Sequence, residues 1–306
     1  MKKKLLITGI AGFIGAKIAK KIIEKGYDVI GVDDLSSGRE ENIPDRAEFL
    51  KVDLSKKEDF KQLPIDIDFI LHLAGQSSGD ISFDNPILDL KKNTHSTLNL
   101  IEYGIKNKVK KLLYASSMSV YGSVKDKPIS EEYKTNPISC YGVGKKCSEN
   151  YLSIFRKKLP FLNYRMFNVY GPGQDMSNMR QGMVSIFLSQ ALNSNSITVK
   201  GNLNRYRDFI FIDDVVDCWI KGVELENLKN KTINIGTGKR TEVEVLIKEI
   251  CSHFNDITID IENSTKGDQF GIYSNNELMK NLFKTKKLIT LEEGIKRFVS
   301  WAKKNK

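Results

Sequence analysis

The sequence predicts an α/β fold: a doubly wound parallel sheet with a smaller C-terminal α/β lobe. Three observations predict it. The apolar run Leu5-Leu6-Ile7 leads directly into a turn with glycines at 9, 12 and 15, a spacing that bends a buried strand tightly into a helix. The next apolar run closes on an acidic residue, Asp33. Short apolar runs then alternate with helix-period segments to about residue 170, the rhythm of right-handed βαβ units.

The first strand starts at Lys4, and Phe13, Ile14, Ile18, Ile22 and Ile23 recur beyond the turn at helical spacing. Of the three glycines, one permits the bend, one lets backbone approach a pyrophosphate, and one packs helix on strand. The helix start offers free N–H groups and a positive dipole end to a phosphate. Gly9, Gly12, Phe13, Ile14 and Gly15 are therefore candidate dinucleotide contacts. A carboxylate at Asp33 suits the adenosine ribose hydroxyls and repels a 2′-phosphate, which favours NAD over NADP.

The polar loop after Asp33 adds Asp34, Ser37 and Gly38 as candidate cofactor contacts. A third strand over 47–52 ends at Asp53-Leu54, and a fourth over 67–73 runs into Ala74-Gly75-Gln76-Ser77-Ser78. Small residues at that end let a cofactor lie close, so Leu73, Ala74 and Gly75 join the cofactor set and Ser77 the substrate set. An amphipathic helix is expected from about Pro86 to Lys106, a fifth strand over 111–117, a helix from about Tyr141 to Lys157 and a strand over 161–167.

Past Gly171-Pro172-Gly173 the rhythm breaks. A helix near 183–192, short strands at 197–199 and 208–212, a buried strand at 233–236 and two amphipathic helices at 243–254 and 291–303 complete the chain. Residues 1–170 read as the dinucleotide-binding domain, with 207–236 returning to it. Residues 171–306 read mainly as a substrate lobe that closes a cleft at the strand ends.

Composition narrows the class. Hydrophobic residues make up 40% and charged residues 28% of 306, an ordinary soluble balance. The net charge of +10 comes from scattered lysines, with no arginine-rich block or aromatic interleaving, which argues against nucleic acid and suits an anionic substrate. Four cysteines without C-x-x-C spacing read as reduced thiols in a cytoplasm. Three scattered histidines hold no metal-site pattern. The lysine-rich start followed by an apolar run imitates a secretion signal, but its glycines fit a strand and turn better. No run approaches the 18 or so apolar residues of a membrane span.

Tyr141 and Lys145 stand four apart on one predicted helix and share a face. An ammonium beside a phenol favours the phenolate, so the tyrosine is expected to titrate well below its usual range of about 10. Such a tyrosine takes a proton from a hydroxyl while hydride leaves the same carbon, and returns it later. Ser116-Ser117 at the end of the fifth strand supply hydroxyls beside it.

With these residues in view, the sequence resembles the extended short-chain dehydrogenase/reductase family, in particular its NAD-dependent nucleotide-sugar epimerases, on a Rossmann-type sheet. The resemblance rests on Thr8-Gly9-Ile10-Ala11-Gly12-Phe13-Ile14-Gly15, Asp33, Asp53-Leu54 and His72-Leu73-Ala74-Gly75. It continues through Ser116-Ser117-Met118-Ser119-Val120-Tyr121-Gly122 and Tyr141-Gly142-Val143-Gly144-Lys145. Further motifs are Arg165-Met166-Phe167-Asn168-Val169-Tyr170-Gly171-Pro172, Arg207-Asp208-Phe209 and Gly267-Asp268.

The resemblance implies a catalytic trio of Ser117, Tyr141 and Lys145, with Ser116 and Ser119 near the pocket. It implies Asn93 near the nicotinamide and Asp53 and Leu54 at the adenine. Asn168 and Arg207 hold the substrate diphosphate, and an arginine suits that task because it stays charged and binds bidentately. Family dehydratases carry an acid immediately after the serine, whereas this chain has Met118, so 4-epimerisation through a transient 4-keto sugar is the expectation. The alternatives are a 4,6-dehydratase or keto-sugar reductase of the same family, and a non-catalytic dinucleotide sensor.

The family's R-x-G-D appears as Thr265-Lys266-Gly267-Asp268. Lys266 then supplies a point charge for the second phosphate beside Asp268, or the diphosphate lies differently. The resemblance also implies a homodimer through a four-helix bundle, built from about 86–106 and 141–158.

Overall fold

In the computed structural model, which describes residues 2–263 and 269–305, seven parallel strands form one sheet. In chain order the first half runs β1 (Lys4–Thr8), α1 (Phe13–Glu24), β2 (Asp28–Asp33), β3 (Glu48–Lys51), β4 (Phe69–His72), α2 (Ile81–Asp84), α3 (Pro86–Leu90), α4 (Ser96–Lys106), β5 (Lys111–Ser117), α5 (Cys140–Phe155), β6 (Phe161–Met166) and β7 (Asn168–Tyr170). The second half runs α6 (Met183–Ser194), β8 (Ser196–Lys200), β9 (Tyr206–Arg207), β10 (Phe209–Phe211), α7 (Ile212–Glu224), β11 (Lys231–Ile235), β12 (Thr241–Glu242), α8 (Val243–Cys251), β13 (Thr258–Glu262), α9 (Glu277–Phe283) and α10 (Leu291–Lys304).

The sheet order is β11-β6-β5-β4-β1-β2-β3. The chain moves outward from β1 in one direction and then in the other, so the strand order reverses beside β1 and β4. In such sheets, ligands bind at the carboxyl ends of the strands at this reversal. The expected doubly wound α/β architecture is present.

Strand alternation builds a core on each face. Leu5, Ile7, Phe69, Leu71, Leu113 and Leu162 join one buried cluster, which also takes in Ile18 and Ile22 of α1 and Val215 and Trp219 of α7. Leu6, Ile70, Leu112, Tyr114 and Phe161 point the other way, into a cluster with Leu100 and Ile101 of α4 and Leu152 of α5. The remaining strands pair apart from the main sheet, as β10 with β7, β12 with β9 and β13 with β8.

The helix expected over 86–106 forms with an interruption. Asn85 caps it through Leu88 N–H at 2.9 Å, and Pro86 occupies the first turn, where its missing N–H costs nothing. Residues Lys91–His95 then widen into a single π turn. Such turns re-aim side chains and recur at functional sites; this one carries Lys92 and Asn93.

Candidate active site

The turn after β1 is glycine for steric reasons at two of its positions. Gly9 has φ +72°, and a Cβ there would lie 2.7 Å from Ala74 N. At Gly15 a Cβ would lie 2.0 Å from Gly9 O, so any side chain would push α1 off the strand. Gly12 precedes α1, and no side chain caps the helix. The first-turn N–H groups therefore face a cleft, as a phosphate site requires.

That cleft is a cavity of about 640 Å³ over the carboxyl ends of the strands. Gly9, Gly12, Phe13, Ile14 and Gly15 line it from the first turn, and Asp33, Asp34, Ser37 and Gly38 from the end of β2. Asp53 and Leu54 line it after β3, and Leu73, Ala74, Gly75 and Ser77 after β4. Ser116, Ser117, Ser119, Tyr141, Lys145 and Asn168 complete the predicted set on its walls.

Asp33 is buried, and its carboxylate accepts from Ala11 N–H at 3.0 Å and Leu35 N–H at 2.9 Å. Burial pushes its carboxyl up, against the pull of those two N–H groups.

Two predicted residues do not line the cavity. Asn93 is 1% exposed beneath it, with Oδ1 buried and without a partner. Arg207 is also buried, donating from Nη1 to Tyr206 O at 2.8 Å and from Nη2 to Gln269 O at 2.7 Å. Arg207 lies in β9, which pairs with β12. Lys266 and Asp268 lie outside the described residues.

Ser117 and Tyr141 face one another across the end of β5 and the start of α5. The Ser117 hydroxyl accepts from Ser119 N–H at 3.1 Å and donates to Ser119 Oγ at 3.2 Å. Tyr141 keeps part of its surface exposed, but its phenol end is deeply buried. Lys145, one turn on, is 4% exposed, with Nζ 5.6 Å from the Tyr141 ring centroid and 5.0 Å from that of Tyr114.

The expected acidification of the phenol is not found. Burial pushes Tyr141 up to about 12, Asp89 adds to the rise, and the Ser117 hydroxyl pulls it down. The same burial draws Lys145 down to about 8, with Asp89 opposing. Desolvation is the largest cause of both shifts.

Ser116 reaches the cavity wall, but its hydroxyl points inward, donating to Glu149 Oε1 at 2.6 Å. Glu149 in turn holds Arg165 through Nε at 2.9 Å and Nη2 at 2.8 Å. This buried pair ties α5 to β6 behind Tyr141 and Lys145. His72 is similarly structural: its ring nitrogens meet Thr8 Oγ1 at 2.8 Å and Thr97 Oγ1 at 3.0 Å. Burial and the nearby Lys145 take it down to about 3, so it stays neutral.

Several residues on the cavity wall or beside it have no counterpart in the sequence reading. Lys92 spans Asp34 Oδ2 at 2.5 Å and Asp53 Oδ1 at 3.0 Å, carboxylates 58 and 39 positions away. Gln181 donates to Ser77 Oγ at 2.7 Å. Arg180 holds Asp80 at 2.7 Å and Asp84 at 2.7 Å, and Arg39 holds Asp175 at 3.1 Å. The segment 174–182 thus straps the cleft at both ends. No local spacing marks these pairs, because each joins segments distant in sequence.

The donor set fits a bound dinucleotide: uncapped helix N–H groups, a carboxylate at the end of β2, and an orphaned amide oxygen beneath the far end. Residues 5–236 match the family described as the NAD dependent epimerase/dehydratase family. The chain is similar to UDP-glucose 4-epimerase from Thermotoga maritima, whose crystal structure contains UDP-glucose, at 34% identity over 99% of both chains with a TM-score of 0.93. It is similar to Thermus thermophilus UDP-glucose 4-epimerase in complex with NAD, at 28% identity over 98% of this chain and 99% of that one with a TM-score of 0.89. It is also 30% identical to UDP-glucuronic acid decarboxylase 1 of Xenopus tropicalis, over 99% of this chain and 73% of that protein.

Proposed function

The chain belongs to the NAD-dependent epimerase/dehydratase family, and from that premise we propose that it is a nucleotide-sugar 4-epimerase. The observation that carries this reading is the convergence of Ser117, Tyr141 and Lys145 on the cavity into which the uncapped start of α1 opens. What bound NAD supplies is reversible acceptance of hydride from the sugar's C4, together with a positive ring that favours a nearby phenolate.

The chain's own residues do the rest. Gly9, Gly12, Phe13, Ile14 and Gly15 cradle the pyrophosphate, Asp33 holds the adenosine ribose, and Asp53 and Leu54 meet the adenine. Tyr141 takes the 4-hydroxyl proton during oxidation and returns it during reduction. Ser117, oriented by Ser119, donates to the 4-oxygen. Lys145 favours the phenolate form of Tyr141 while it holds its own proton. Asn168, the first residue of β7, which pairs with β10, anchors the diphosphate at the border of the lobe over 171–306. The flat keto sugar turns about that anchor, which lets hydride return to the opposite face.

Met118 supports epimerisation over water loss or decarboxylation. It lines the cavity directly after Ser117, with Sδ 3.6 Å from Asn168 Nδ2. A thioether neither donates nor accepts a catalytic proton. The reading also includes a homodimer, supported by apolar side chains left outside the core. Ile87, Leu88 and Leu90 of α3 and Val143 and Ile154 of α5 are 41–68% exposed. Sedimentation showing only monomer at micromolar concentration would count against it. The four free cysteines suit the cytoplasm, and among the described residues no helix is long and apolar enough to cross a membrane.

The test is incubation with a panel of nucleotide sugars, following bound-cofactor absorbance and sugar stereochemistry by NMR. Inversion at C4 without net consumption of NAD is the expected result. A 4-keto-6-deoxy product, stoichiometric oxidation of added NADH, or no reaction with any sugar would replace the reading.

A further inference from the structure

A second carboxylate stands beside the reacting pair, outside the motifs. Asp89 of α3 is 2% exposed, and its Oδ1 accepts from Gln76 Nε2 at 2.8 Å and Asn93 Nδ2 at 3.0 Å. Asn93 Nδ2 also donates to Gln76 O at 3.0 Å, so both its amide hydrogens are committed. An ionised carboxylate only accepts, and therefore it can face only the NH2 end of an amide.

Asn93 Oδ1 is consequently turned away from Asp89. It lies 2.5 Å from where a Cβ on Gly75 would sit, and Lys145 Nζ lies 3.6 Å from the same point. The amide oxygen and the ammonium thus flank Gly75 together at the floor of the cleft. On the far side, Asp89 Oδ2 abuts Gly144 of α5, 3.3 Å from a Cβ built there.

We propose that Asp89 is a positioning residue, which fixes the orientation of the Asn93 amide and supplies the buried counter-charge that keeps Lys145 an ammonium. The second role rests on the reading of Tyr141 and Lys145 given above.

The groups around Lys145 leave Asp89 that role. His72 of β4 is neutral, Tyr114 of β5 and Tyr141 are phenols pushed up by burial, and Glu149 is committed to Arg165 and Ser116. Asp89 acts on Lys145 against desolvation. Burial in turn pushes the Asp89 carboxyl up, while Gln76, Lys145 and Asn93 draw it back.

The test is a cycle of Asp89→Asn, Lys145→Met and the double variant in the full-length holoenzyme, with Asp89→Glu as the conservative rescue. In Asp89→Asn the alkaline limb of kcat is expected to move about one pH unit towards acid. At pH 8.5 kcat is expected to fall about tenfold, while KM for the sugar nucleotide stays within about twofold. Asp89→Glu is expected to restore the limb.

Urea unfolding gives a readout that does not need turnover: the shift caused by Asp89→Asn should shrink in the Lys145→Met background. A wild-type alkaline limb in Asp89→Asn, together with additive urea shifts, would overturn the proposal. Full turnover in Tyr141→Phe would sink the parent reading instead, and the urea cycle would still decide whether Asp89 and Lys145 are coupled.

Discussion

Lys145 holds its Nζ 5.6 Å from the centre of the Tyr141 ring, one helical turn away on α5. The helix places the two side chains together, and the walls around them strip both of water. The lysine, drawn down to about 8 by that burial, is costly for the fold near neutral pH, and strongly shifted groups of this kind cluster at functional sites.

In the proposed mechanism Tyr141→Phe removes the phenol oxygen that takes and returns the proton and leaves the ring packing intact. The turnover number is expected to fall about 100-fold or more. The retained NAD, read from the absorbance ratio of purified protein, is expected to be unchanged. Near-wild-type turnover in the folded variant would refute the assignment.

Lys145 also sets a pH dependence of stability. Its folded value of about 8 lies below the ordinary 10.5, so between those limits the unfolded chain holds a proton that the folded chain has released. Stability from this site therefore rises with pH across that window. Lys145→Met is expected to be more stable than wild type at pH 7.5. That advantage should shrink by on the order of 2 kcal/mol by pH 9.5. Urea midpoints at the two pH values measure it, and a constant difference would show that Lys145 titrates normally.

The strap over 174–182 predicts how the cofactor leaves. Arg180 grips Asp80 and Asp84 at one end, and Arg39 grips Asp175 at the other. These pairs are solvent-exposed, so each contributes little and salt weakens both. Arg39→Ala/Arg180→Ala is expected to speed release of bound NAD by about tenfold. Raising salt to about 1 M, where the Debye length is about 3 Å, should speed wild-type release in the same direction. Exchange of labelled NAD measures both, and release rates insensitive to both changes would show that the strap does not gate the cofactor.

The turn, the sheet and the Tyr141–Lys145 pair were legible because each is local. Gly9, Gly12 and Gly15 mark a steric need within one turn of chain, and positions 141 and 145 share a face whatever else the fold does. Other features of the site were not legible. The phenol's shift ran opposite to expectation because the sequence places the ammonium but says nothing about how dry the site is. Arg207 reads from the sequence as an anion-binding side chain, whereas the fold sets the carbonyls of Tyr206 and Gln269 against its guanidinium. Lys92, Asp89 and Arg180 act through partners that only the folded chain brings near.

Lys92 provides a separable test of the adenosine end. The π turn swings its ammonium between Asp34 and Asp53, and the three side chains are only about one-fifth exposed. Burial draws Lys92 down, but the two carboxylates overcome it and hold its titration above the ordinary value. Ser55 N–H, Ser55 Oγ and Lys92 Nζ all engage Asp53 Oδ1. Asp53 Oδ2 is then the oxygen available to an adenine amine in the proposed mode. Lys92→Met would leave two carboxylates facing each other across the groove without the cation between them. NAD affinity measured by calorimetry is expected to weaken by about 10-fold to 100-fold. Turnover at saturating NAD should stay within about twofold, because Tyr141 and Lys145 sit at the other end of the cleft. Equal losses in affinity and turnover would show that Lys92 supports the whole site rather than the adenosine groove.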